Sequence, residues 1–117
     1  MNDREMLELA AKAAGIVFSF RQGVPCRYEQ PKTSKTSFSA LGWKMWNPLE
    51  DDGEVFRLAV KLGISIRYGY CMDDAPVVFV KDEFMEEELM FENFPDSRKA
   101  TRRAIVRAAA EIGKGMK

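Results

Sequence analysis

Two pairs of adjacent carboxylates, Asp51-Asp52 and Asp73-Asp74, are the first places in this sequence where chemistry could be done, because paired acids can hold Mg²⁺. Neither pair is accompanied by a phosphate-cradling loop. Gly113-Lys114-Gly115 lacks the preceding glycine spacing and the following Ser or Thr of such a loop. Adjacent acids are equally what turns and helix starts use. The chain has no histidine, which removes the usual base near pH 7, the commonest metal ligand, and every Ser/His, Cys/His and His-zinc arrangement within one chain. Cys26 and Cys71 stand 45 positions apart, with no second cysteine at the spacing of a metal knuckle or a redox pair. Two reduced, partly buried thiols are therefore expected. No catalytic, cofactor-binding or metal-binding residue is assigned, and the chain reads as a non-enzymatic protein that needs no cofactor.

Binding chemistry is better represented. Eighteen basic residues balance 18 acidic ones, but they are segregated: residues 73–96 hold one basic and nine acidic groups, and residues 97–117 hold seven basic and one acidic. The acidic block, with Asp82, Glu83, Glu86, Glu87 and Glu88, could imitate a phosphate backbone and engage a basic cleft on another protein. In the basic block, Lys99, Arg103 and Arg107 recur every fourth residue and could meet nucleic acid phosphates. Its opening, Ser97 through Arg103, is loosely similar to the basic helix start of double-stranded-RNA-binding domains, although Asn93-Phe94-Pro95-Asp96 before it offers no glycine. A third candidate is aromatic. On a strand Trp43 and Met45 share one face while Trp46 takes the other, so all three cannot enter one core, and with Phe38 nearby they form a candidate protein contact.

The elements that must hold these residues follow from periodicity and punctuation. Asn2 or Asp3 caps a helix over 3–14, in which Met6, Leu9, Ala10 and Ala13 recur before Gly15 stops it. Strands follow at 16–22 and 26–30 around a Gly23-Val24-Pro25 turn, and a third runs over 38–46 after an exposed, Lys/Ser/Thr-rich loop at 31–37. Asn47-Pro48 breaks that strand. A second helix over 51–62 places Val55, Leu58, Ala59 and Leu62 at i, i+3, i+4 and i+7 and closes at Gly63. A half-buried strand over 64–71, a turn at 73–76, a strand at 77–80 and a further one at 88–93 lead to a last helix over 96–113. Small Ala residues on the inner flank of that helix allow close approach to a sheet. The order αβββαββ(β)α predicts a single α+β domain in which three helices layer on a largely antiparallel sheet.

Three segments together resemble the small phage and prophage proteins of the phage ABA sandwich family. They are residues 3–15; residues 46–54, whose Trp46-Asn47-Pro48-Leu49 turn and acidic cap are the most specific part, through 57–63; and residues 100–113. The resemblance covers the three helices in order, nearly half of the chain. It implies an α-β-α layered fold, a bacteriophage or prophage origin and a place in the bacterial cytoplasm during infection, and it supplies no catalytic residues.

Location is read the same way from the residues. Asp3, Arg4, Glu5 and Glu8 stand where a secretion signal needs an apolar stretch, and no window reaches the ~18 apolar residues of a membrane span. The expected function is that of a small accessory protein that binds a host or phage protein and modulates it, one version being inhibition of host defence such as CRISPR machinery. Phe38, Trp43, Trp46, Asp82, Glu83, Glu86, Glu87 and Glu88 are the expected partner contacts. The alternative is a nucleic-acid-binding module using Lys99, Arg103 and Arg107, and a sheet edge or the aromatic strand leaves room for a homodimer.

Overall fold

A computed structural model describes residues 1–28, 42–70, 76–82, 89–92 and 97–116. The loop at 31–37, Phe38, Cys71, the Asp73-Asp74 turn, and Glu83, Glu86, Glu87 and Glu88 lie outside the described residues.

The chain runs α1 (Asp3–Ala14), β1 (Phe18–Arg21), β2 (Val24–Tyr28), β3 (Trp43–Met45), α2 (Asp52–Leu62), β4 (Ser65–Tyr70), β5 (Pro76–Lys81), β6 (Leu89–Glu92) and α3 (Ser97–Lys114). It is an α+β fold whose strands pair antiparallel throughout. Where the sequence suggests a single sheet, the described strands form two, β1-β2-β3 and β4-β5-β6, one after each of the first two helices.

The same local chemistry begins and ends α1 and α2. The Asn2 side chain accepts the Glu5 amide at 2.8 Å, and the Asp51 side chain accepts the Glu54 amide at 2.9 Å. At the far ends Gly15 and Gly63 take left-handed φ values of 70° and 67°, and the next residue, Ile16 or Ile64, donates back to Ala11 or Ala59 at 2.9 Å. The first hairpin turns one residue earlier than the sequence suggests. Gln22 and Gly23 both have positive φ, 53° and 79°, and join Arg21 to Val24 as a two-residue turn whose twist suits the strands. Val24 and Pro25 therefore belong to β2.

The long helix α3 is the shared centre. Ala104, Ile105, Val106, Ala108, Ala109 and Ala110 are all buried, which leaves only a narrow polar stripe. It lies against β5 and β6, whose Val78 and Val80 are buried, and against both other helices. Its close approach is to α1 as well as to a sheet. The two helices run side by side in the same direction, with Arg103 paired to Asp3, Gly113 against Leu9, and Lys12 donating to the Met116 carbonyl at 2.9 Å. Gly113, the last residue of the helix expected over 96–113, is followed within it by Lys114, and a Cβ there would collide with the Leu9 carbonyl oxygen. Trp46 completes the core at 1% exposure, edge-on to Phe18 with ring centroids 5.6 Å apart.

Candidate functional site

Those of the expected contact residues that are described, Trp43, Trp46 and Asp82, are dispersed by the fold. Trp46 is a core residue, so its assignment to a partner surface is corrected; it falls on the inward face of its strand, as the alternation with Trp43 requires. Trp43 is half-buried on the opposite face of β1-β2-β3, 5.4 Å from Tyr28 and beneath the Arg21 guanidinium at 5.0 Å, with Met45 exposed beside it. A hollow of about 450 Å³ opens there between Phe20, Arg21, Gln22, Cys26 and Trp43; Cys26 is a buried free thiol. Asp82, expected on the surface, is buried at 5% exposure and has a polar partner inside the fold.

Lys99, Arg103 and Arg107 do line up along α3, but the arginines are engaged. Arg103 meets Asp3 at 3.0 Å and Arg107 meets Glu111 at 2.9 Å. The carboxylate pair at 51–52 has structural work as well: Asp51 caps α2 and Asp52 accepts from Arg102 at 2.7 Å. No group of three His, Cys, Asp or Glu side chains converges to hold a metal among the described residues.

A second, more apolar concavity lies elsewhere. In the register of the second sheet Ile66 stands opposite Val80 and Tyr68 opposite Val78, so both point to the side on which α3 covers the valines. Helix α3 does not extend over β4. Helix α2 packs on α3 from the other side, and an open groove of about 490 Å³ remains between the three elements. Val55, Phe56 and Ala59 of α2, Ile66 and Tyr68 of β4 and Ile105 of α3 make it apolar; Asp52, Ser97, Arg98, Thr101 and Arg102 supply its polar end.

That end is organised by hydrogen bonds. Thr101 donates to the Ser97 carbonyl at 2.7 Å, which commits its only proton. The 2.9 Å contact between the Tyr68 and Thr101 hydroxyls is therefore donated by Tyr68. Arg102 is fixed through Nε to the Leu49 carbonyl at 2.9 Å and through its Asp52 contact, and so joins α3 to the turn that starts α2. On another face of α2 the Glu54 carboxylate, by a hydrogen bond of 2.7 Å and then by its charge, raises the Arg57 guanidinium further above its ordinary pKa, which keeps it a permanent cation rather than a proton donor.

Around the groove the apolar surface continues. Phe56 is 68% exposed, Tyr68 58% and Tyr70 74%, and Val60 and Ile66 are exposed beside them. The strand read as half-buried is thus exposed along nearly all its length. Sequence reasoning passed over these residues, although one signal was present: Phe56 and Val60 are bulky apolar groups that fall off the Val55/Leu58/Ala59/Leu62 stripe of α2.

Compared with known proteins, the chain matches no family model, no curated protein and no solved structure.

Proposed function

We propose that this protein is a small accessory module that acts by binding another protein, through the face formed by α2, β4 and the start of α3. The observation that carries this reading is the continuous exposure of Phe56, Val60, Ile66, Tyr68 and Tyr70 around the groove. Three exposed rings alone present about 400 Å² of aromatic surface, about half of the ~800 Å² that one side of a standard protein interface buries. A small ligand would fill the groove and leave Val60 and Tyr70 in water. The cost of such exposure favours a macromolecular cover. The phage or prophage setting, and with it a host or phage protein as partner, rests on the resemblance of the helical segments alone.

Affinity capture from bacterial lysate, with and without nuclease, tests the reading. A discrete protein should be retained by the wild-type chain after nuclease treatment and lost with Phe56→Asp and with Tyr70→Asp, both of which should keep the native melting temperature because the side chains are exposed. Capture that survives both substitutions would remove this face from the binding surface. Capture that disappears with nuclease, and with replacement of Lys99, Arg103 and Arg107, would give first place to nucleic acid.

A further inference from the structure

The sheet β1-β2-β3 presents a surface of its own, and the hollow on it shares no residue with the groove between α2, β4 and α3. On its outer side the register sets Tyr28 opposite Trp43 and Cys26 opposite Met45, with Arg21 on the same side at the end of β1. The three strands contain Arg21, Arg27 and Lys44 and no carboxylate. Arg27 and Lys44 stand opposite each other on the inner side and have partners within the fold. Arg21 is exposed and makes no ion pair or hydrogen bond among the described residues; its contact is the Trp43 ring. It sits 5.0 Å from the centre of that ring, whereas Arg4 and Arg67 sit 4.2 and 4.1 Å from theirs, so it is the least closely seated of the three.

Gln22 adds a second observation. It is the only non-glycine residue with positive φ among the described residues, at a turn position that Asn or Gly occupies with less strain. Backbone strain of this kind collects at functional positions. What glutamine adds there is reach. It lines the hollow of about 450 Å³ beside Arg21, Cys26 and Trp43, and its carboxamide has no hydrogen-bond partner among the described residues. The hollow thus gathers an indole, a carboxamide and a guanidinium outside any ion pair, with no carboxylate among its lining residues. These are the groups that stack on a nucleobase, read the donors and acceptors of its edge and hold its phosphate. Stacking on a side chain needs a base free of the duplex. A lone nucleotide would fill the hollow and leave Tyr28 and Met45, farther along the same face, uncovered; a strand covers them with its next nucleotides.

We propose that the outer face of β1-β2-β3 binds single-stranded nucleic acid. One base enters the hollow, stacks on Trp43 in place of the Arg21 guanidinium and pairs its edge with the Gln22 carboxamide, while Arg21 turns to the phosphate. The Tyr28 ring, tilted 66° from that of Trp43, meets the next nucleotide. This site is independent of the protein-binding face, and either stands without the other.

Tryptophan fluorescence of the full chain tests this, because Trp46 is in the core and Trp43 is the other tryptophan. Single strands of oligo-dA and of oligo-dT, each of roughly twenty nucleotides, should quench it, and the duplex annealed from them should bind about tenfold more weakly or worse. Arg21→Glu should weaken strand binding about tenfold, and Arg21→Gln should reduce the slope of log affinity against log salt by roughly 0.7, the share of one phosphate. Both variants should keep the native melting temperature, since the side chain is exposed. Gln22→Asn should raise the melting temperature by relaxing the turn and yet weaken binding severalfold, a split that a merely structural Gln22 does not give. Replacing Lys99, Arg103 and Arg107 together should matter less than Arg21→Glu alone. Absence of quenching up to ~1 mM strand, equal affinity for the duplex or for adenosine monophosphate, or binding that depends on the α3 cations and ignores Arg21 would each overturn the proposal. So would a protein retained from lysate after nuclease treatment and lost with Arg21→Glu, which would make this face a protein contact.

Discussion

The first αβββ unit, residues 2–46, and the second, residues 51–92, begin their helices with the same side-chain cap and end them with the same glycine–isoleucine stop, yet they treat their apolar residues differently. Helix α1 buries Met6, Leu7, Ala10, Ala11 and Ala14; α2 buries Val55, Leu58 and Ala59 and leaves Phe56 and Val60 in solvent. Both helices use α3 as their partner, but α1 approaches it at backbone distance through Gly113, while α2 shares its side with a groove. Equal local rules thus give one closed unit and one open unit, and the tertiary partner decides which is which.

The widest separation between the units should come from their large side chains. Trp46→Ala should lower stability by about 4 kcal/mol, whereas Phe56→Ala should change it by no more than about 0.5 kcal/mol; urea unfolding of the two variants checks this, and equal losses would end the distinction. Glycines give the next largest contrast. At Gly113 the obstacle is the Leu9 carbonyl, which cannot yield without moving α1, so Gly113→Ala should cost about 2–3 kcal/mol. At Gly53 the nearest atoms are the side-chain ends of Asp51 and Arg57, and Gly53→Ala should stay within about 1 kcal/mol of wild type, because helix propensity offsets the crowding.

Where the units are alike, the responses should be alike. Asn2→Ala and Asp51→Ala should each cost about 1 kcal/mol in thermal unfolding, and a large inequality would show that the shared caps do not do the same work. The smallest effect belongs to the groove wall. Tyr68→Phe removes one exposed hydrogen bond to Thr101 and should cost about 0.5 kcal/mol, while the amide resonance of Thr101 reports the loss directly.

This contrast also separates what a sequence can tell from what it cannot. The caps at Asn2 and Asp51 and the stops at Gly15 and Gly63 are legible because donor and acceptor lie within a few residues of each other. So is the opposition of Trp43 and Trp46, which needs only the strand period. The end of α3 near Gly113 is legible to within a residue, but the reason for a glycine there is Leu9, far away in the chain, and is not legible. The alternation of Ile66 and Tyr68 with Ser65 and Arg67 marks the strand and its two faces. It carries no information on whether a helix will cover one of them, and here α3 covers β5 and β6 and leaves most of β4 exposed. The groove was therefore not legible as a site, although its residues were read as parts of elements.

Helix α3 closes the core of both units and leaves the ribosome after them. Until it emerges, α1 and α2 have little to pack against, because they touch each other far less than either touches α3. The two hairpin-bearing halves of the nascent chain would wait as loosely held intermediates, and folding would complete only when a distant segment docks between them, a high-contact-order step expected to be slow. During translation the chain would thus carry its exposed strands unprotected, and its yield in cells should depend on chaperone supply and on the speed at which the codons of α3 are read.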